Sequence, residues 1–263
     1  MMNIDELFNI RNKVCLITGG GRGIGLMIAK GFVSAGAKVY ISSRNGDVCH
    51  QVAKELTEQG PGQCFAIAAD LQKLEDIQHL VVELGKREHH LDVLINNSGA
   101  NWAAPIADYP DAGFQKVVNL NLTRVFSLTQ ACLPLLRANP TLENPARIIN
   151  IGSISGETVP KLEMYAYSAS KAAVHHLTRH LAARLGSEGI LVNAVAPGSF
   201  PTKMMAETLK REGDHILKTI PVGRFGQDED LVGTCIYLTS RAGAYTTGAV
   251  IVVDGGALQS SRM

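Results

Sequence analysis

"KVCLITGGGRGIG", residues 13–25, decides how the rest of this chain is read. An apolar run ends at Thr18, and Gly19, Gly20, Gly21 and Gly23 then fill four of the next five positions, with Gly25 close behind. Glycine weakens regular elements, so such a cluster marks backbone at positive φ or a ligand approached too closely for any side chain. "LMIAKGF" follows at helical spacing, which places the glycines in a turn between a buried strand and an amphipathic helix. There a helix N-terminus offers unpaired N–H groups and partial positive charge to a phosphate. A tight turn without a ligand is the alternative, and the strand-before, helix-after context argues against it.

Working outward, the other apolar runs are short, rich in Val and Ile, and not alternating: "KVYISS" (38–43), "CFAIAAD" (64–70), "DVLINN" (92–97), "RIINIG" (147–152), "ILVNAVAPG" (190–198) and "AVIVVDGG" (249–256). Strands buried on both faces have this texture, which belongs to parallel sheets. The intervening segments, such as "DVCHQVAKELTEQG" and "LEDIQHLVVELGKREHH", carry helical periodicity. The expectation is an α/β fold, a Rossmann-type doubly wound parallel sheet of about seven strands with helices on both faces. One domain would span residues 1–263, with a cofactor half at about 10–150 and a catalytic and substrate half at about 151–263. The long stretch 199–225 lacks a regular pattern and reads as a mobile lid.

Composition narrows the function. With 46% hydrophobic residues, 19% charged residues and a net charge of +1, the chain has no electrostatic case for nucleic acid or an anionic membrane. No segment approaches ~18 uncharged apolar residues, the length a membrane span requires. Five isolated cysteines, none in a CxxC pair, suit a reducing compartment better than a disulfide framework or a metal site. The N-terminus shows no apolar secretory segment, so a cytoplasmic location is expected. Ser261-Arg262-Met263 is similar to a relaxed peroxisomal address, which would relocate the protein in a eukaryote.

The spacing Thr18-Gly19-x-x-x-Gly23-x-Gly25 resembles the TGxxxGxG of the short-chain dehydrogenase/reductase family. "NNSG" (96–99) resembles that family's NNAG, "YSASK" (167–171) its YxxxK, "APG" (196–198) its post-strand PG, and "DGG" (254–256) its C-terminal ending. "NPARIINIGS", "LPLLRAN" and "IPVGRFG" are most like the 3-oxoacyl-[acyl-carrier-protein] reductase branch of rhamnolipid-associated type. The resemblance implies an oxidoreductase that binds NADP(H), acts on a small carbonyl or alcohol substrate and assembles as a dimer or tetramer.

Tyr167 and Lys171 are four apart and share one helix face. An ammonium beside a phenol favours the phenolate, as would the positive charge of an oxidised nicotinamide, and the two together would supply the roughly 4 kcal/mol that lowering a phenol from ~10 to about 7 takes. Tyr165 has Ala169 at the corresponding position and is no candidate. Ser153 follows the fifth strand, where its hydroxyl can donate to a substrate oxygen as negative charge develops. It stands one residue further from the tyrosine than the family's serine usually does, read here as a longer loop, with Ser155 as the alternative. By resemblance Asn121, rather than Asn119, takes the place of the catalytic asparagine, opening its helix and holding a water that links Lys171 to solvent. Arg124, where many members have glycine, serves either subunit packing or a charged substrate. The implied reaction is hydride transfer from nicotinamide C4 to a carbonyl carbon, with Tyr167 protonating the oxygen and Ser153 orienting it.

Cofactor choice has a physical handle. "YISSRN" puts Ser43 and Arg44 after the second strand with no acid before Asp47, and Arg22 adds a second guanidinium. An arginine pair suits a phosphate, so NADPH is expected over NADH. By resemblance Gly19, Gly21, Gly23, Ile24 and Gly25 cradle the cofactor, Asp70 and Leu71 meet the adenine, and Asn97 and Gly99 meet the adenosine side. Pro197, Gly198 and Thr202 hold the nicotinamide, and Tyr167 and Lys171 its ribose.

His175, His176 and His180 continue the Lys171 helix without an HExxH arrangement and read as a subunit-contact surface, not a metal site. His89-His90 reads as a helix end. Trp102 either lines the substrate cleft or packs. The walls that choose a substrate are expected at 101–105, 157–164 and 199–221, with Met204, Met205, Leu209 and Ile216 favouring an apolar or bulky ligand. Two other readings stay open: an NAD(P)-dependent sugar or polyol dehydrogenase, and a non-catalytic NADPH-binding sensor or scaffold.

Overall fold

A computed structural model describes residues 3–260. After a short helix α1 (Ile4–Leu7), strands and helices alternate: β1 (Val14–Thr18), α2 (Gly23–Ser34), β2 (Lys38–Ser43), α3 (Gly46–Gln59), β3 (Gln63–Ala68), α4 (Leu74–Gly85) and β4 (Val93–Asn96). Helices α5 (Asp111–Val118) and α6 (Arg124–Leu136) lead to β5 (Ala146–Ile151), α7 (Tyr165–Leu185) and β6 (Ile190–Pro197). Helices α8 (Ala206–Lys218) and α9 (Asp228–Thr239) precede β7 (Val250–Val253). All seven strands join one parallel sheet in the order β3-β2-β1-β4-β5-β6-β7.

The texture of the strands explains the layers. Every residue of β1, β4 and β5 is buried, because helices cover both faces of the sheet. One face is packed by α2, α3 and α9 through Ile28, Phe32, Leu56, Leu231 and Leu238. The other is packed by α4, α6 and α7 through Leu80, Leu84, Leu128, Leu136 and Leu181. From β1 the chain winds outward to β2 and β3, then returns to start the second half at β4. That reversal opens a crevice at the strand C-termini, where ligands bind in such sheets.

Two polar insertions interrupt the apolar core. Asn96 and Asn150, opposite one another in the β4–β5 register, are fully paired: Asn96 Nδ2 donates to Asn150 Oδ1 (2.9 Å) and Thr129 Oγ1 (3.1 Å), and Asn150 Nδ2 to Thr178 Oγ1 (2.9 Å). This ladder ties α6 and α7 to the strand ends. Arg147, 1% exposed, donates to the carbonyls of Leu238 and Ser240 (both 3.1 Å) and of Pro145. It thereby satisfies carbonyls left over at the end of α9, which a helix C-terminus otherwise leaves unpaired.

The structure corrects three expectations. Residues 199–225 are not irregular throughout: α8 occupies 13 of them. Its sequence, "AETLKREGDHILK", is nearly half charged and buries no residue fully, with Leu209, Ile216 and Leu217 half-buried along one face. His89 and His90 do not end a helix; α4 stops at Gly85, and His90 pairs with Asp92 (3.3 Å) at the foot of β4. His175 is buried rather than part of a contact surface, whereas His176 and His180 are exposed. The Ser261-Arg262-Met263 address lies outside the described residues. No helix among the described residues is long and apolar enough to cross a membrane, and no three His, Cys, Asp or Glu side chains there group to hold a metal ion.

Candidate active site

Gly19 and Gly23 have φ of 67° and 55°, conformations that side chains rarely tolerate. At Gly25 the constraint is space, since a Cβ would come within 2.4 Å of the Gly19 carbonyl oxygen. The turn is also tied down from below. Gly19 N donates to Ser42 O (2.7 Å), Asn97 Nδ2 to Thr18 O (2.7 Å), and the Thr18 hydroxyl accepts from Asn97 N (2.9 Å) and Ser98 N (3.0 Å). Helix α2 then starts after Arg22 with no side chain capping its first N–H groups. These groups face the crevice, where an anion fits them.

The remaining cofactor candidates stand on the same edge of the sheet. Ser43 ends β2, and a Cβ on Gly21 would lie 3.4 Å from its hydroxyl oxygen. Arg22 and Arg44 make no ion pair among the described residues, so both guanidinium groups are available to a phosphate. Ile24 lies in the first turn of α2, Asp70 and Leu71 follow β3, Asn97 and Gly99 follow β4, and Pro197 and Gly198 end β6. Thr202 reaches back to the glycine turn, 3.6 Å from where a Gly23 Cβ would be. Asn97 is used internally, its amide spent on the turn's own carbonyls. A nicotinamide dinucleotide fits this set: a backbone cradle for its phosphates, a helix N-terminus, and two unpaired arginines at the adenosine end.

Around β5 and α7 the structure brings Ser153, Tyr167, Lys171 and Asn121 together. Ser153 is buried, accepts from Ser155 N (3.1 Å) and is close enough to the Tyr167 phenol to lower it. Ser155 contributes its backbone, not its hydroxyl, to this arrangement. Lys171, buried one turn beyond Tyr167, donates to Ile151 O (2.7 Å) and sits 5.6 Å from the centre of the Tyr167 ring. Asn121 interrupts the α5–α6 helical run with a π-helical turn, Asn119–Thr123. Its amide clasps the backbone of Ala100 on both sides, Oδ1 accepting from Ala100 N (2.8 Å) and Nδ2 donating to Ala100 O (2.9 Å), with a third bond to Ser170 Oγ (3.1 Å). A Cβ on Gly99 would touch both Asn121 Oδ1 (3.3 Å) and Lys171 Nζ (3.8 Å).

Burial raises the Tyr167 phenol above its ordinary value, and the nearby Ser153 hydroxyl offsets this only in part. The same burial lowers Lys171 to about 8. An ammonium committed to the Ile151 carbonyl and stripped of water does not hold the phenol down in the protein alone. Tyr167 is therefore neutral at physiological pH.

Arg124 is anchored within its own chain: its Nε and the Asn119 amide both donate to Gln72 O (3.2 Å each) after β3. Trp102 packs over Gly113 while remaining 39% exposed. Glu163 binds the two loops at the mouth, accepting from Tyr165 Oη (2.6 Å) and Ile106 N (3.3 Å). Lys161 Nζ lies 2.9 Å from His215 Nε2, joining the 157–164 loop to α8.

The family model described as enoyl-(acyl carrier protein) reductase matches residues 19–257. The rhamnolipids biosynthesis 3-oxoacyl-[acyl-carrier-protein] reductase of Pseudomonas aeruginosa is 44% identical over 253 residues, covering 95% of this chain and 97% of that one. This chain is a short-chain dehydrogenase/reductase. As a member of that family it is an oxidoreductase acting on CH–OH and C=O groups. A solved structure, the Pseudomonas aeruginosa RhlG/NADP active-site complex, superposes with a TM-score of 0.91 at 43% identity, covering 97% of this chain and 99% of that chain. The 2-dehydro-3-deoxy-D-gluconate 5-dehydrogenase of Bacillus subtilis is 37% identical over 261 residues, 96% of this chain and 97% of its own.

Sequence reasoning missed the Asn96–Asn150 ladder, the Ser170 hydroxyl that braces Asn121, and the pair formed by His175 and Glu157. The ladder did have a signal. An asparagine ending each of two otherwise apolar runs, "VLIN" and "IIN", is a buried amide that must find a partner.

Proposed function

We propose that this short-chain dehydrogenase/reductase is an NADPH-dependent carbonyl reductase acting on 3-oxoacyl thioesters or related ketones. The observation that carries the reductase assignment is the Ser153–Tyr167–Lys171 constellation, a phenol between a buried hydroxyl and a buried ammonium at the mouth of the sheet crevice. When bound, the nicotinamide supplies the hydride. Ser153 orients the substrate oxygen and stabilises the charge that develops on it. Tyr167 donates its proton to that oxygen, and Lys171 restores charge balance along the buried path behind it.

Three features support NADPH and an acyl-type substrate. Ser43, Arg44 and Arg22 present two cations and no carboxylate where a 2′-phosphate would sit. Trp102, Val159 and Met204 leave large apolar surface exposed on the loops expected to wall the substrate. The relatives include a 3-oxoacyl-[acyl-carrier-protein] reductase at 44% identity. The 37% relative that oxidises a sugar acid supports the second reading, a sugar-acid dehydrogenase of the same mechanism. Initial rates with NADPH and NADH across a 3-oxoacyl thioester, a β-keto ester, a diketone, a quinone and a keto-sugar acid decide between them. Turnover confined to the keto-sugar acid would overturn the acyl assignment. Tight NADPH binding without turnover on any ketone would turn the reading to a sensor.

A further inference from the structure

We infer that His175 and Glu157 form a positioning pair that holds the Ser153 turn in its working geometry. The inference rests on the reading of Ser153 as the group that orients the substrate oxygen. His175 lies one turn beyond Lys171 on α7, on the face turned toward the end of β5. Its ring is 2% exposed and fills the hollow of the turn formed by residues 152–157. A Cβ on Gly152 would fall 2.1 Å from His175 Nε2, and one on Gly156 2.9 Å from its Cε1. The two residues that flank the Ser153 turn are thus glycines against which the imidazole is pressed.

A hydrocarbon side chain fills such a hollow without the cost of burying a ring nitrogen, so the imidazole needs a reason. Nδ1 supplies it. It lies 2.7 Å from Oε1 of Glu157, the residue that closes the turn Ile154–Gly156 immediately after Ser153. The turn is fixed at its start by Gly152 N donating to Val195 O (2.7 Å) and at its end by the His175–Glu157 bond. The Ser153 hydroxyl, which accepts from Ser155 N (3.1 Å), hangs between these two anchors.

Nε2 has no hydrogen-bond partner. With Nδ1–H directed at the carboxylate, Nε2 is the unprotonated nitrogen, and a proton there would point into Gly152 with nothing to accept it. The charges acting on the ring are Glu157, which attracts that proton, and Lys171 and Arg179 of its own helix, which repel it. Strand β6, packed along α7, carries no titratable side chain; nor does the 154–156 turn. Asp111 and Lys116, the charges of α5, are exposed. Burial prevails, and His175 titrates below the ordinary imidazole range. Acidification then forces a cation into the hollow and displaces the turn that carries Ser153.

A phenol raised by burial needs no base to donate its proton, so Tyr167 gives the reduction no acid-side loss of its own. An acid limb in kcat for ketone reduction is the signature of the pair. His175→Phe keeps the ring volume without the bond and should lower kcat about tenfold, a fraction of what losing a whole oxyanion donor costs. Its affinity for NADPH, read by nucleotide fluorescence, should stay within about twofold of the parent, because the contacts His175 makes are with Gly152, Gly156 and Glu157 and not with the glycine turn. Glu157→Gln keeps an acceptor but removes the attracting charge, so most of kcat at neutral pH survives and the acid limb moves to lower pH. His175→Gln should abolish the limb. If His175→Phe does not fold, Glu157→Ala takes its place and should show the same kcat loss. Parental kcat in the truncating variant, or an acid limb unchanged in both Glu157→Gln and His175→Gln, overturns the inference. Ser153→Ala, run alongside, separates the two readings: full activity there refutes the role of Ser153 itself.

Discussion

Asn121→Ala removes the clasp at the π-helical turn, and its cost can be worked from the contacts. Three hydrogen bonds vanish: two to the backbone of Ala100 and one to Ser170 Oγ. Asn121 is 1% exposed, so water does not readily replace it. At about 1 kcal/mol net for each bond, the loss is about 3 kcal/mol. For a chain of this size each kcal/mol lowers Tm by roughly 2–4 °C, which gives a drop of about 6–12 °C. Scanning calorimetry of parent and variant, with urea unfolding as the second measure, reads this directly. Activity should fall as well, because the same clasp sets the Gly99–Ala100 backbone against Lys171. Asn119→Ala is the internal control: it loses one half-buried bond to Gln72 O, worth about 1 kcal/mol, and does not touch Ala100. An Asn121→Ala variant that melts within about 2 °C of the parent and keeps its kcat refutes the clasp.

Tyr167→Phe should reduce turnover by about 10²–10⁴-fold while leaving NADPH binding within about twofold, measured by nucleotide fluorescence beside initial rates. The raised Tyr167 phenol sets the alkaline side of the pH profile: reduction needs the protonated form and falls only above the ordinary phenol range, whereas alcohol oxidation climbs as pH rises toward it. Ser43→Asp places a carboxylate where Arg22 and Arg44 favour a phosphate, and the ratio of kcat/KM for NADPH over NADH should drop by about tenfold or more. Arg147→Met removes the donor to the buried Leu238 and Pro145 carbonyls, while Ser240 O keeps Gly243 N (3.3 Å), and should cost about 2 kcal/mol in urea unfolding, with the catalytic parameters of the surviving native enzyme unchanged.

The strands were legible because burial on both faces strips a sequence of alternation, and β1, β4 and β5 show that texture without a break. The glycine turn was legible because a positive φ at Gly19 and the closeness of Gly25 to the Gly19 carbonyl leave few alternatives to glycine. Helix α8 was missed although Leu209, Ile216 and Leu217 fall on one helical face, because the charges between them and Gly213 read as loop punctuation. Nor does sequence reveal whether a charged residue in a buried strand is satisfied. Arg147 finds its carbonyls 91 and 93 residues away, at Leu238 and Ser240. His175 and Glu157 are 18 residues apart and meet only because the Ser153 turn folds back over α7. Short periodicities are set by local geometry; partnerships across the fold are set by packing that no spacing encodes.

All five cysteines are free and buried, and burial pushes their thiols up, to about 12 for Cys64, Cys132 and Cys235. They are distributed through β1, α3, β3, α6 and α9, so both helical layers and the sheet each hold at least one. A thiol that is neither ionised nor accessible reacts with an alkylating reagent only when its surroundings open. The molecule thus carries five built-in reporters of breathing, one per region, with no label to introduce. If Cys49 and Cys64 at the β3 end were modified faster than Cys132 and Cys235, the sheet would be opening from that edge; a common rate for all five would mean that the whole domain unfolds as a single cooperative unit.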